Sequence, residues 1–311
     1  MNLQCVMIQG MIKTKSGARE KVVGIYHKNC LDGTTAAAVL LKKFPRITLV
    51  PLSHIYSKKD FAVVLKKISK STVVYIVDFS LHGGHTELVI KNAKRVVNID
   101  HHLGAKEELE AISKKYNAFT FVFDNNRSGA SLAWTYFYGK KKIPKLILYV
   151  EDSDIWRFSF GDKTRYAISY LYDSHKSPKK ILALLRGGKN AEKNILQKGK
   201  ILKEYRDGLI KNILDEIGPI HIKVGSFIIP AHNAPEFLRS DIGHALASKL
   251  GKAVATFVLN GNTVRLHFRG EEGHRPRALE LAKILGGGGH QNAAAATNVP
   301  LKKFLKMIVV R

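Results

Sequence analysis

The stretch Arg95-Val96-Val97-Asn98-Ile99-Asp100-His101-His102 runs from β-branched residues straight into a carboxylate and two imidazoles. Its valines and isoleucine favour a buried strand, so the polar group falls where such a strand ends and presents side chains to a cleft. A carboxylate beside two imidazoles is a donor set for hard or borderline divalent metals. An isolated Asp-His-His also suits a surface turn, so the rest of the chain has to decide. His27 and Asp32 come just after the strand-like Lys21-Val22-Val23-Gly24-Ile25-Tyr26, and Asp78 ends the apolar run Val73-Val74-Tyr75-Ile76-Val77. Asp152 and Asp154 follow another apolar run, Leu146-Ile147-Leu148-Tyr149-Val150. Four apolar runs that each end in a metal-type side chain form a pattern that chance rarely gives.

Working outward, residues 22–115 alternate β-branched runs (22–26, 47–52, 72–77, 95–99) with helix-like segments (35–44, 60–68, 86–92, 107–116). That alternation predicts a parallel sheet with crossover helices, and in such a sheet a site belongs at the carboxyl ends of the strands. His27, Asp78 and Asp100 all fall there. One more strand is expected over 119–123. Ser128-Gly129-Ala130-Ser131 opens a helix whose row Trp134, Tyr136, Phe137 and Tyr138 reads as core, with base stacking as the alternative. Residues 191–217 read as a long charged helix without proline, a natural connector ending at Gly218-Pro219. Beyond it come a strand pair around Gly225, a helix over 241–250, a hairpin at Gly261-Asn262, and a helix from Pro276 to Leu285 that leads into four glycines.

A length of 311 residues exceeds a usual single core, so more than one domain is expected. The boundaries read as an N-terminal extension (1–20), an α/β domain (21–190), a helical linker (191–217) and a smaller α/β domain (218–311). Lysine and arginine number 51 against 25 acidic residues, a formal net charge of +26. That excess points to a polyanionic partner, although scattered lysines such as Lys42-Lys43 and Lys140-Lys141-Lys142 would also serve as a solvated surface. Cys5 and Cys30 are the only cysteines, and neither a secretory signal nor a membrane span is visible. The expectation is a soluble, cytoplasmic protein in a reducing compartment, with no membrane partner. Lys13, Lys15 and Arg19 are accompanied by Glu20 and lack a strong amphipathic pattern, which argues against a transit peptide.

Asp100-His101-His102 with Asp78, His27 and Asp32, followed far downstream by Gly286-Gly287-Gly288-Gly289-His290-Gln291-Asn292-Ala293-Ala294, resembles the DHH phosphoesterase family with its DHHA1 partner domain. The resemblance runs from about Val22 to about Thr297, and within the superfamily it is nearest to the oligoribonuclease (nanoRNase) and exopolyphosphatase-like branch. It implies an N-terminal DHH domain with a parallel sheet flanked by helices and a C-terminal DHHA1 domain. It also implies a pair of Mn²⁺ ions, with Mg²⁺ or Co²⁺ as alternatives. Asp78 would bridge them, His27 and Asp32 would hold one, and His101 with Asp152 the other. Asp100 would be a ligand or an acceptor orienting a histidine, and His102 would face the substrate phosphate. Arg269, the amides of Gly287, Gly288 and Gly289, His290 and Asn292 would hold substrate.

The implied reaction is hydrolysis of short single-stranded RNA or DNA from one end. The alternatives are an exopolyphosphatase, a cyclic-dinucleotide phosphodiesterase or a 3′-phosphoadenosine 5′-phosphate phosphatase. A nucleic-acid-binding protein without catalysis is disfavoured by the intact Asp78, His101 and His102. Substrate identity and oligomeric state stay open, a homodimer being one option.

The chain departs from the family pattern in several places. The first motif reads His27-Lys28-Asn29-Cys30-Leu31-Asp32-Gly33-Thr34, one residue longer than His-x3-Asp-x-Asp, with Thr34 where a second carboxylate often stands. Asn29 or a water would take that place, and Cys30 reads as a small half-buried thiol. Asp152 is preferred to Asp154 because it follows its apolar run more closely. Gly270 replaces a usual serine and Ala295 a frequent glycine. His54, His82 and His85 read as ordinary surface histidines.

Overall fold

The computed structural model describes residues 20–174 and 177–309. Cys5 and nearly all of the expected N-terminal extension lie outside them. The chain divides into two compact units, Met1–Lys203 and Glu204–Arg311.

The first unit holds strands β1 (Lys21–His27), β2 (Thr48–Leu52), β3 (Thr72–Val77), β4 (Arg95–Asp100) and β5 (Phe119–Phe123). All neighbours pair in parallel, in the order β2-β1-β3-β4-β5. Parallel pairing forces crossovers, which are supplied by α1 (Leu31–Lys43), α2 (Lys58–Leu65), α3 (His85–Asn92) and α4 (Lys106–Lys115). Every residue of β3 is buried, as a strand covered on both faces requires. Its alternation sends Val74 and Ile76 to one core with Val64 of α2, Val89 of α3 and Leu109 of α4. Val73, Tyr75 and Val77 face the other core, with Leu40 of α1 and Trp134 of α5 (Gly129–Tyr138). The remaining helices are α6 (Lys145–Asp154), α7 (Asp162–Ser174), α8 (Pro178–Arg186) and α9 (Gly188–Glu216). The far side of α1 packs on these through Leu31, Ala38, Val150, Leu171, Ile181 and Ile195. The division between units falls inside α9, the stretch read as a connector.

Residues 146–150, grouped in the sequence with strand ends, are helical. Pro144 at the N-cap favours a helix start, and Leu146, Ile147, Tyr149 and Val150 are buried at helical spacing. A short apolar run carries too little periodicity to tell the two apart, and here the difference redirects the acidic residues that follow.

The second unit is a seven-stranded sheet in the order β10-β11-β9-β8-β7-β6-β12. Its strands are β6 (Ile220–Val224), β7 (Phe227–Asn233), β8 (Val254–Asn260), β9 (Thr263–Arg269), β10 (Gly288–His290), β11 (Ala293–Pro300) and β12 (Ile308–Val309), with α10 (Arg239–Leu250), α11 (Ala278–Ile284) and α12 (Leu301–Met307). Only β7 and β8 pair in parallel. Phe268, Leu266, Leu281 and Phe304 lie in its core. The four-glycine run enters the sheet as edge strand β10. A Cβ at Gly287 would lie 2.1 Å from Ala295 O, and one at Gly289 would lie 2.6 Å from Ala294 Cα. These glycines therefore admit close strand approach, and the Gly287 N–H donates to Ala282 O at 2.8 Å instead of standing open to an anion. No helix among the described residues is long and apolar enough to cross a membrane.

Candidate metal centre

β1 and β3 are neighbours from which the chain departs toward opposite edges of the sheet, so a crevice opens at their carboxyl ends. His27 closes β1, Asp78 follows β3 and Asp100 closes β4. Asp78 has φ 51°, a left-handed conformation unusual for a residue with a side chain, and its N–H donates to Ile99 O at 3.0 Å. Such a backbone costs on the order of 1 kcal/mol or more and persists only when its surroundings impose it. Here the surroundings are two helix starts. A Cβ at Gly33 of α1 would lie 2.5 Å from His27 O and 3.0 Å from Asp78 Oδ2, and one at Gly129 of α5 would lie 3.0 Å from Asp32 Oδ2. The Ala130 N–H, also at the start of α5, donates to Asp32 Oδ1 at 3.1 Å. Glu151 braces that helix start by accepting from Arg127 Nε at 2.9 Å and from the Ser128 N–H at 3.2 Å.

Around Asp78 the donors converge. His101 Nε2 is 3.1 Å from Asp78 Oδ1 and 3.5 Å from Asp154 Oδ2, and His27 Nδ1 is 3.5 Å from Asp78 Oδ2. Three groups can each bring their ligand atoms within 4.8 Å of one another: Asp78, Asp100, His101 and His102; His27, Cys30 and Asp78; Asp32, His101 and Asp154. Asp32 thus clusters with His101 and Asp154, not with His27 as the resemblance implied.

The electrostatics carry the mark of crowded buried carboxylates. Burial, then the charges of Asp78 and Asp154, push Asp32 well above the usual carboxylate range. Burial and Asp78 raise Asp154 to about 6. Burial also works on Asp78, but the His101 hydrogen bond and the neighbouring His27 imidazole outweigh it and hold that carboxyl low. Among the described residues, His27 Nδ1 and Asp78 Oδ2 are buried without any hydrogen-bond partner. A buried carboxylate oxygen and an imidazole nitrogen left unsatisfied side by side can hold a cation, and such donors suit a borderline divalent ion.

Asp154, not Asp152, is the carboxylate within reach. Asp152 Oδ1 accepts from the Ser159 N–H at 2.8 Å and from Ser159 Oγ at 2.5 Å, while Oδ2 accepts from the Phe160 N–H at 3.2 Å and from Thr164 Oγ1. Residues two apart on a helix point to opposite sides, so α6 gives Asp152 to this turn and Asp154 to the centre.

Asp100 stands behind His102. Its Oδ1 accepts from the His101 N–H at 2.7 Å and from His102 Nδ1 at 2.7 Å, and Oδ2 accepts from Ser80 Oγ. Burial opposes charge on His102, yet the Asp100 hydrogen bond raises it to about 9. His54 is exposed, as read from sequence, yet it lies beside the site just beyond the end of β2, its ring centroid 4.1 Å from that of His27 and 5.4 Å from that of His102. Burial among these rings, then the charges of His27 and His102, lower it to about 4. Its place after a strand neighbouring β1 was the available signal. His82 and His85 instead contact Tyr56 Oη, at 2.8 and 2.9 Å. Asn29 is exposed.

In the second unit, Arg269 Nη2 donates to Ser240 Oγ at 3.0 Å. His267 sits near Arg239, Arg269 and Arg265, and burial, then those charges, lower it to about 4. His290 and Asn292 are exposed.

No family model matches the chain. An uncharacterized protein of Acanthamoeba polyphaga mimivirus is 25% identical over 292 residues, 88% of this chain. The chain spans just under two thirds, 66%, of that relative's length. Among solved structures, an exopolyphosphatase-related protein from Bacteroides fragilis is 14% identical with a TM-score of 0.57, covering 93% of this chain and 90% of that one. The exonuclease RecJ bound to manganese is 13% identical with a TM-score of 0.53, covering 93% and 88%. RecJ in complex with Mn²⁺ from Thermus thermophilus is 13% identical with a TM-score of 0.50, covering 93% of this chain and 51% of that chain. The fold, with its parallel sheet flanked by helices and a second sheet in the C-terminal part, is shared with these structures.

Proposed function

We propose that this chain is a divalent-metal-dependent phosphoesterase that hydrolyses short single-stranded oligonucleotides from one end. The observation that carries the reading is the pair of buried, partnerless atoms, Asp78 Oδ2 and His27 Nδ1, at the meeting point of Asp32, His101 and Asp154. His27, Asp32, Asp78, His101 and Asp154 would hold the ions, with Mn²⁺ the proposed metal and Mg²⁺ or Co²⁺ as alternatives. Bound divalent ions neutralise phosphate charge and make a hydroxide available at neutral pH.

The chain's own residues set up the rest. Asp78 is fixed in place by the glycines of α1 and α5 and serves both sides of the centre. His102, kept protonated by Asp100, donates a hydrogen bond to a phosphate oxygen and favours charge building there in the transition state. Asp100 accordingly acts as an orienting acceptor. In the second unit Arg269, Gly288, Gly289, His290 and Asn292 are the proposed substrate contacts. The net charge of +26 suits single-stranded RNA or DNA as the polyanion. A reducing, cytoplasmic setting is the proposed location, in keeping with the two cysteines of the sequence.

Polyphosphate is the second reading, favoured by the fold shared with an exopolyphosphatase-related protein. The test is chelator-stripped protein restored with Mn²⁺, beside an Asp78→Ala control, offered di- to pentanucleotides, polyphosphate, a cyclic dinucleotide and 3′-phosphoadenosine 5′-phosphate. Mn²⁺-dependent cleavage of the oligonucleotides that the control lacks is expected. Turnover of polyphosphate alone would move the assignment to the second reading, and no turnover with Mn²⁺, Mg²⁺ or Co²⁺ would overturn the proposal.

A further inference from the structure

The first sequence motif lacks a second carboxylate, and the structure shows what stands near its place. Thr34 is turned away, its hydroxyl donating to Cys30 O at 2.7 Å within α1. Cys30 is the N-cap of α1, a position where Ser, Thr, Asp or Asn usually accepts a helix N–H through the side chain. The Cys30 side chain puts its sulfur beside the Gly33 N–H of the same helix but does not complete a cap hydrogen bond to it. Its sulfur belongs instead to the group in which His27, Cys30 and Asp78 bring ligand atoms within 4.8 Å of one another.

A second, independent observation marks this spot as a ligand position. Asp78 is only 1% exposed, its Oδ2 has no hydrogen-bond partner among the described residues, and the equally partnerless His27 Nδ1 faces it at 3.5 Å. A buried carboxylate oxygen left without a hydrogen bond is costly, and a cation lying between it and the His27 nitrogen would satisfy both. Sulfur, imidazole nitrogen and carboxylate oxygen together form a softer donor set than the nitrogen and oxygen of Asp32, His101 and Asp154.

We infer that Cys30 ligates, through its sulfur, the ion held by His27 and Asp78, so that one metal position prefers borderline ions such as Co²⁺ and Zn²⁺ while its neighbour suits Mn²⁺. The inference rests on the metal-dependent reading above. The thiol proton leaves to solvent as the ion binds, because the thiolate is the ligand. The two positions then differ in chemistry, and mixed occupation by unlike ions follows.

The experiment strips the full chain with chelator under reducing, anaerobic conditions and titrates it with Co²⁺, then with Zn²⁺ and Mn²⁺. Cys30→Ser is compared with wild type, Cys30→Asp and Cys5→Ser, with circular dichroism as the check on folding. Wild type and Cys5→Ser are expected to develop a near-ultraviolet sulfur-to-cobalt charge-transfer band. Cys30→Ser is expected to bind Co²⁺ without that band, and its preference for Zn²⁺ over Mn²⁺ is expected to fall roughly tenfold or more. Cys30→Asp, which restores a ligand without sulfur, is expected to retain Mn²⁺ binding and to lose the band as well. Ion binding by wild type with no sulfur band, or identical spectra and metal preference in wild type and Cys30→Ser, would overturn the role of Cys30 and leave the metal-dependent reading standing. Failure of wild type to bind any ion would overturn both.

Discussion

Gly129 is pressed against Asp78 so closely that a Cβ on the glycine would lie 2.6 Å from the Cβ of the aspartate and 2.9 Å from its Cα. The start of α5 is therefore a wall of the candidate metal centre, and it packs against Asp78, which has a left-handed conformation. Gly129→Ala is expected to destabilise the fold by about 1–3 kcal/mol through overpacking and to weaken Mn²⁺ binding roughly tenfold. Chemical denaturation and a Mn²⁺ titration measure the two effects. Mn²⁺ affinity equal to wild type would show that α5 does not position Asp78.

Asp152 and Asp154, two residues apart, are expected to fail in different ways. Asp152 accepts hydrogen bonds from Ser159, Phe160 and Thr164, and bonds to a charged acceptor contribute about 1.5–3 kcal/mol each. Asp152→Asn should lower stability by ~3 kcal/mol and leave the activity of the folded fraction close to normal. Asp154→Asn should keep the fold, relieve repulsion with Asp78, and cut turnover by about 10²-fold or more. Denaturation midpoints and initial rates on the same preparations separate the two, and the reverse pattern would return the ligand role to Asp152.

Asp100 can be tested as an orienting acceptor or as a ligand. With its Oδ1 on His102 Nδ1 at 2.7 Å, Asp100→Asn should reduce kcat by about 10²-fold while Mn²⁺ affinity changes little. A parallel loss of Mn²⁺ affinity, read by calorimetry, would make Asp100 a ligand.

His267 gives the second unit a pH dependence independent of any metal. It is held at about 4 in the folded chain against an ordinary value of 6.5. Between those values the unfolded chain binds a proton that the folded chain does not, so stability rises with pH across that window. Stability should be full above about pH 6.5 and should fall as pH drops toward 4. His267→Gln should flatten that part of the profile. Denaturation of wild type and variant at neutral and mildly acidic pH measures it, and profiles of equal slope would remove His267 as the cause.

The sequence by itself determined the alternating strands and helices, the placing of His27, Asp78 and Asp100 at strand ends, and the helix across the division between units. Those features are local: a β-branched run with a polar end makes its own case for a strand and for where its side chains emerge. Only the tertiary structure decided the rest. Residues 146–150 gain helical form from packing on both sides, which turns Asp154 inward and Asp152 away. His54 arrives from a neighbouring strand, and the Ala130 amide reaches Asp32 from 98 positions away in the chain. The glycine run becomes an edge strand because β11 lies against it, and the Cys30 sulfur comes within reach of His27 and Asp78 where α1 meets β1 and β3. Each of these depends on which elements meet and in what register, and packing between distant segments sets that register where no short stretch of sequence can record it.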